Sequence, residues 1–150
     1  MRVRSALRRD DGQTTVLTVG LCALLVALML VMLAATTVQL QHRRLQSLAD
    51  SAAIAGAEEL GFRLGEDPDV VLSDGDVAAS AQAHLAAVGA GRAVPGLGGM
   101  AAGVAEDGAT VVVTLDARVD LLATAGPFAG ALPLSVPIQA TGSSRTSLTR

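Results

Sequence analysis

Two hydrophobic patterns follow one another along the first 60 residues, and they require different surroundings. No charged residue occurs across residues 12–41, and Leu, Val, Ala and Met dominate residues 16–38. A helix of that length, rising 1.5 Å per residue, covers roughly 34 Å, enough for a hydrocarbon layer of about 30 Å with some tilt. The stretch LCALLVALMLVMLAA has no polar face, so it does not suit a core helix of a small soluble domain. A transmembrane helix is predicted over residues 14–41. From Leu45 onward the pattern becomes periodic. Leu45, Leu48, Ala49, Ala52, Ala53, Gly56, Ala57 and Leu60 share one helical face, while Gln46, Asp50, Ser51, Glu58 and Glu59 lie mainly elsewhere. One helix is therefore expected from about residue 14 to residue 60, with residues 42–60 as an extension beyond the membrane. Its stripe is small-sided, which allows close approach by a sheet or helix, of the same domain or of another subunit.

Further on the signals are shorter. Residues 61–76 read as a loop, with Gly65, Pro68 and Gly75. Its acids, Glu66, Asp67, Asp69, Asp74 and Asp76, lack the ordered spacing of a calcium-binding EF-hand and read as a solvated loop and helix start. Ser73 or Asp74 is placed to cap a second helix over residues 76–88, ended by Gly89, with Val77, Ala81, Leu85 and Val88 inward and His84 at the surface. The Gly-rich residues 89–103 read as a flexible connection. A hairpin is predicted next: Val104 and Ala105 as a short strand, Glu106-Asp107-Gly108 as the turn, and residues 110–120 as a longer strand. In that strand Val111, Val113, Leu115, Ala117 and Val119 alternate with polar neighbours. A linker around Gly126-Pro127 leads to a last strand, in which Leu134, Val136, Ile138 and Ala140 alternate with Ser135, Pro137, Gln139 and Thr141. Pro137 cannot donate to a ladder, which marks an edge strand. The expected fold is α+β: a single N-terminal transmembrane helix extending into a small extracytoplasmic domain, residues 61–141, with a short helix and about three antiparallel strands. Residues 142–150 are expected to be a loose tail.

Composition narrows the function. At 51% apolar and 17% charged residues, the chain is not disordered throughout. One Cys excludes a disulfide scaffold. With 1% aromatic residues and a net charge of -3 the chain offers neither the aromatic platforms nor the basic groove of a single-strand binder, and no nucleic-acid partner is expected. All 11 basic residues are Arg. Arg2, Arg4, Arg8 and Arg9 precede the span, whereas only Arg43 and Arg44 follow it closely. This asymmetry places residues 1–13 in the cytoplasm and the C-terminal portion outside, with the chain in the plasma membrane. No Trp or Tyr marks the interfaces, so Arg8, Arg9, Arg43 and Arg44 are left to set the depth of the span. A signal peptide would have an apolar run of about 7–15 residues followed closely by a small-x-small site. Here the first clean A-x-A pattern beyond the run, Ala53-Ile54-Ala55, lies past Arg43 and Arg44, so an uncleaved anchor is expected. Cys22 sits at the wrong end of the apolar run for lipidation and follows the bulky Leu21.

Candidate chemistry is sparse. His42, His84 and Cys22 are too scattered for a metal site. Asp116 and Asp120 share a strand face with Thr110, Thr114 and Arg118, which reads as a solvated face. No catalytic, cofactor-binding or metal-binding residue is assigned, and no enzymatic activity is expected.

Two motifs flank the span. Gly12-Gln13-Thr14-Thr15 opens it, and LQSLADSAAIAGA, residues 45–57, follows it. In this the chain resembles TadE/TadG-like proteins of tight-adherence (Flp) pilus systems, most closely the TadG-related N-terminal segment. The resemblance implies a non-enzymatic envelope protein that assists assembly or anchoring of a Flp-type pilus or related secretion apparatus. Its implied partners are membrane lipid, other pilus-assembly or secretion membrane proteins, and a homo- or hetero-oligomer formed through the helix. The motif and packing residues it points to are Gly12, Gln13, Leu45, Gln46, Leu48, Ala49, Asp50, Ala52, Ala53, Gly56 and Ala57. The long TadG proteins' D-x-S-x-S metal motif is absent. Pilins are cut after a Gly and carry Glu at the fifth mature position; a cut after Gly12 would place Leu17 there. One alternative is a minor pseudopilin that enters a filament after cleavage. Another is a membrane-anchored enzyme or sensor with an unrecognised site.

Overall fold

A computed structural model describes residues 10–66, 73–121 and 134–145. The basic residues before position 10, the Gly126-Pro127 linker and the last five residues lie outside the described set. Among the described residues six elements follow in order: α1 (Asp10–Glu66), α2 (Asp74–Ala87), α3 (Ala90–Ala93), β1 (Leu97–Val104), β2 (Thr110–Asp120) and β3 (Ser135–Arg145). The arrangement is α+β, as the pattern predicts. The chain divides into two compact units, Met1–Thr37 and Val38–Arg150.

In the first unit, the described side chains from Thr14 onward are exposed or half-buried. Val16 is 74% exposed and Met29 72%. Hydroxyls in this stretch are satisfied within the helix itself. Thr18 donates to the Thr14 carbonyl at 2.8 Å, Thr36 to Met32 at 2.9 Å, and Thr37 to Leu33 at 2.9 Å. Threonine thus enters an apolar helix without leaving its O–H unpaired.

The second unit is built on an antiparallel sheet of order β1-β2-β3. Alternation along β2 sends Val111, Val113, Leu115, Ala117 and Val119 inward, all buried. They meet Leu45, Ala49, Ala52 and Ala53 of α1 and Val77, Ala81 and Leu85 of α2 in one core. No polar or charged side chain is fully buried among the described residues. The Ser80 hydroxyl donates to the Ala55 carbonyl at 3.4 Å, tying α2 to α1.

Several bounds differ from the sequence reading. The first helix continues past residue 60 to Glu66. The second helix begins two residues early, at Asp74, with Ser73 at its N-cap; Asp74 and Asp76 then sit in its first turn, where carboxylates complement the helix dipole. The glycine-rich stretch is not a plain connection. It holds α3 and then an eight-residue strand, β1. Its register on β2 runs from Leu97↔Ala117 to Val104↔Val111, with a shift between Leu97 and Gly99. The last strand does not stop at Thr141 but pairs with β2 as far as Thr110↔Arg145, so residues 142–145 are strand rather than loose tail. Pro137 lies on β3, an edge of the sheet, as expected.

Candidate functional site

The 45–57 run is the one stretch where motif, helix face and core coincide. A helix repeats every 3.6 residues, so Leu45, Ala49, Ala52, Ala53, Gly56 and Ala57 face the same way. All six are buried, and Leu48 is half-buried against the core. The opposite side carries Asp50, Ile54 and Glu58, all exposed. Gly12 and Gln13 lie within α1, but their side chains are outside the described set.

Small side chains on this face allow two close approaches. At Gly56, an added Cβ would stand 3.1 Å from Val111 Cγ1 and 3.2 Å from Val77 Cγ1. The helix therefore lies close on β2 and α2 at that point, and a methyl group would require Val111 and Val77 to shift by a few tenths of an ångström. On the sheet side, a Cβ at Gly142 would collide with the backbone of Ala49 and with the Asp50 nitrogen. Here β3 and α1 meet backbone to backbone. Beside that contact Gln46 makes two bonds: its Nε2 donates to the Thr141 carbonyl at 2.9 Å and to Asp50 Oδ1 at 3.1 Å. The stripe thus faces the chain's own sheet. Gly142 and Thr141 are packing and hydrogen-bond partners of this run that the sequence pattern does not single out. A signal was present, because Val136, Ile138 and Ala140 alternate inward and the next inward position is Gly142.

Other candidates stay apart. Cys22 is exposed in the apolar stretch of α1. His42 is exposed; His84 is half-buried on α2 and its Nε2 is enclosed without a hydrogen-bond partner. Asp116 accepts a bond from Gln139 Nε2 at 3.0 Å, across the outer face of the sheet. Among the described residues, no three of His, Cys, Asp and Glu gather to hold a metal ion. In the β1–β2 turn, Asp107 Oδ2 accepts the Thr110 hydroxyl at 2.6 Å, and Oδ1 accepts the amides of Thr110 at 2.9 Å and Ala109 at 3.0 Å. These bonds, the Thr110 hydroxyl foremost, hold its carboxyl below the usual aspartate range. They pin a tight turn and carry no chemistry.

Comparison with known families falls on this same part of the chain. Residues 12–59 match a family model described as "Putative Flp pilus-assembly TadE/G-like". Residues 12–59 are TadE/G-like. No curated protein and no solved structure matches the chain. The TadE/G-like segment covers both patterns of α1, the apolar stretch and the buried small-residue run. It ends before α2 and the sheet. Within it, the helix over Thr14–Glu59 is long and apolar enough to cross a membrane, and its most apolar window is unburied. By length and composition this helix is suited to a single membrane crossing.

Proposed function

We propose that this is a non-enzymatic bitopic envelope protein that assists assembly or anchoring of a Flp (Tad) type pilus or related secretion apparatus. The observation that carries the reading is the match over residues 12–59, which takes in an unburied apolar span and a buried packing run on one helix. The action is mechanical. Apolar side chains from Val16 to Leu33 remain exposed, available to lipid and to the helices of other assembly proteins. The run from Leu45 to Ala57 packs into the core of the C-terminal unit. Because Ala49, Ala53 and Gly56 are buried in the chain's own core, contact with other assembly proteins falls to the span and the outer surfaces. The four Arg before the span against two close after it orient the N-terminus to the cytoplasm and the C-terminal unit outside.

Deleting the chain from a piliated cell is expected to abolish surface pili, with recovery on re-expression; unchanged piliation would overturn the reading. A phosphatase fused after Arg150 is expected to be active outside the cytoplasm, and a stable but inactive fusion would reverse the orientation. Intact mass is expected to retain residues 1–12. A mature protein starting at Gln13 would favour the pseudopilin alternative instead.

A further inference from the structure

A sheet edge offers unpaired backbone groups to any strand that can reach them, and here side chains from α1 and α2 reach both edges. On β1, the Val104 amide donates to Asp74 Oδ1 at 2.9 Å. On β3, the Thr141 carbonyl accepts Gln46 Nε2 at 2.9 Å. The direction of the remaining β3 groups follows from the ladder. Leu121 N–H donates to the Leu134 carbonyl at 2.9 Å, so odd-numbered residues of β2 point their amides at β3. Their register partners on β3 are even-numbered, Val136 to Ser144. Antiparallel alternation then turns the amides and carbonyls of Gln139, Thr141 and Ser143 outward. Pro137, next in that series, has no amide to offer.

The outward run is thus short and centred on Thr141. It is also self-complementary. Antiparallel pairing of two copies about Thr141 sets Gln139 opposite Ser143 and Pro137 opposite Arg145, so no like charges face each other. The central pair would exchange Thr141 amide and carbonyl, and that carbonyl is the one Gln46 occupies. We propose that Gln46, steadied by Asp50, guards the β3 edge against pairing with the β3 edge of a second copy. The guard is independent of the pilus reading, since it rests on the fold of the second unit alone.

The test uses the full chain in an excess of detergent micelles, with Cys22→Ser as background and Thr141→Cys as reporter. A short bismaleimide captures any pair of chains joined at that position. With Gln46 present, the crosslinked dimer is expected to be minor. With Gln46→Ala or the similarly sized Gln46→Met, it is expected to rise about thirtyfold, what two net hydrogen bonds, one from each chain, are worth. Gln46→Arg, which keeps a donor, is expected to return it to the starting level. An Ala101→Cys reporter on β1 is expected to stay flat throughout. The proposal is overturned if the dimer does not rise in either donorless variant. It is equally overturned if the Ala101→Cys reporter rises with it, because that marks general loosening of the sheet, or if Gln46→Arg fails to lower it.

Discussion

The two halves of α1 solve opposite problems with the same backbone. From Val16 to Leu33 most side chains are large, branched or long, and exposed. From Leu45 to Ala57 the inward residues are mostly alanine and glycine, and buried. Hydrophobicity alone does not separate them; size does. A lipid-facing helix gains from bulk on all sides, because every side must be apolar. A helix that lies against a sheet at backbone contact must lose its side chains on that face, and it gains dispersion contacts in return.

Matched substitutions in the two halves break this contrast most directly. The largest effect is expected at the close approach of β3. Gly142→Val forces a collision with the Ala49 backbone and should destabilise the second unit by about 3 kcal/mol or more. Gly20, by contrast, has open space around it, and Gly20→Val should leave that stability unchanged. Hydrogen exchange of the β2 amides in the full chain reads both. Reversing the comparison, Leu25→Arg should cost about 3 kcal/mol of apparent membrane insertion. Ser47→Arg, at an exposed position outside the span, should cost almost nothing on the same assay. Ala53→Leu should destabilise the unit by about 1–3 kcal/mol through overpacking, whereas Ala27→Leu in the exposed stretch should be neutral; thermal unfolding of the two variants side by side decides it.

The smallest effect is expected from Asp107. Its folded carboxyl is held below the ordinary range, so the stability it lends is present above the unfolded value of about 3.9. That stability is lost as pH falls through the lower folded value. Wild type should therefore melt above Asp107→Asn at pH 6, with the gap closing as the carboxyl protonates. A gap that stays constant down to pH 2 would remove the carboxylate's charge from the account of this turn.

Legibility in the sequence followed the strength of the periodic signal. The span, the stripe from Leu45, the alternation of β2 and the edge position of Pro137 were all readable, because burial on one face imposes a period. The stretch LGGMAAG, residues 97–103, reads as a connection because glycine and alanine carry weak strand preference. It is a strand because β2 supplies a full set of partners from Ala117 to Val111. The continuation of β3 through Gly142, Ser143 and Ser144 was hidden in a polar tail. Its inward residue there is a glycine, which a hydrophobic pattern cannot register. The run from Leu45 stands out in the sequence, but its partners Thr141 and Gly142 lie roughly ninety residues away. Spacing within the motif carries no information about that distance.

The backbone contact between Ala49 and Gly142 sets where the molecule can be cut and rejoined. The TadE/G-like match ends at residue 59, which looks like a natural seam for a chimaera. A splice there would separate the small-residue face from the glycine that fits it, leaving each fragment with half an interior. The seam that keeps both halves together is between Thr37 and Val38. Exchange there gives a foreign N-terminal helix to an intact second unit, and it is the boundary at which such helices should be interchangeable.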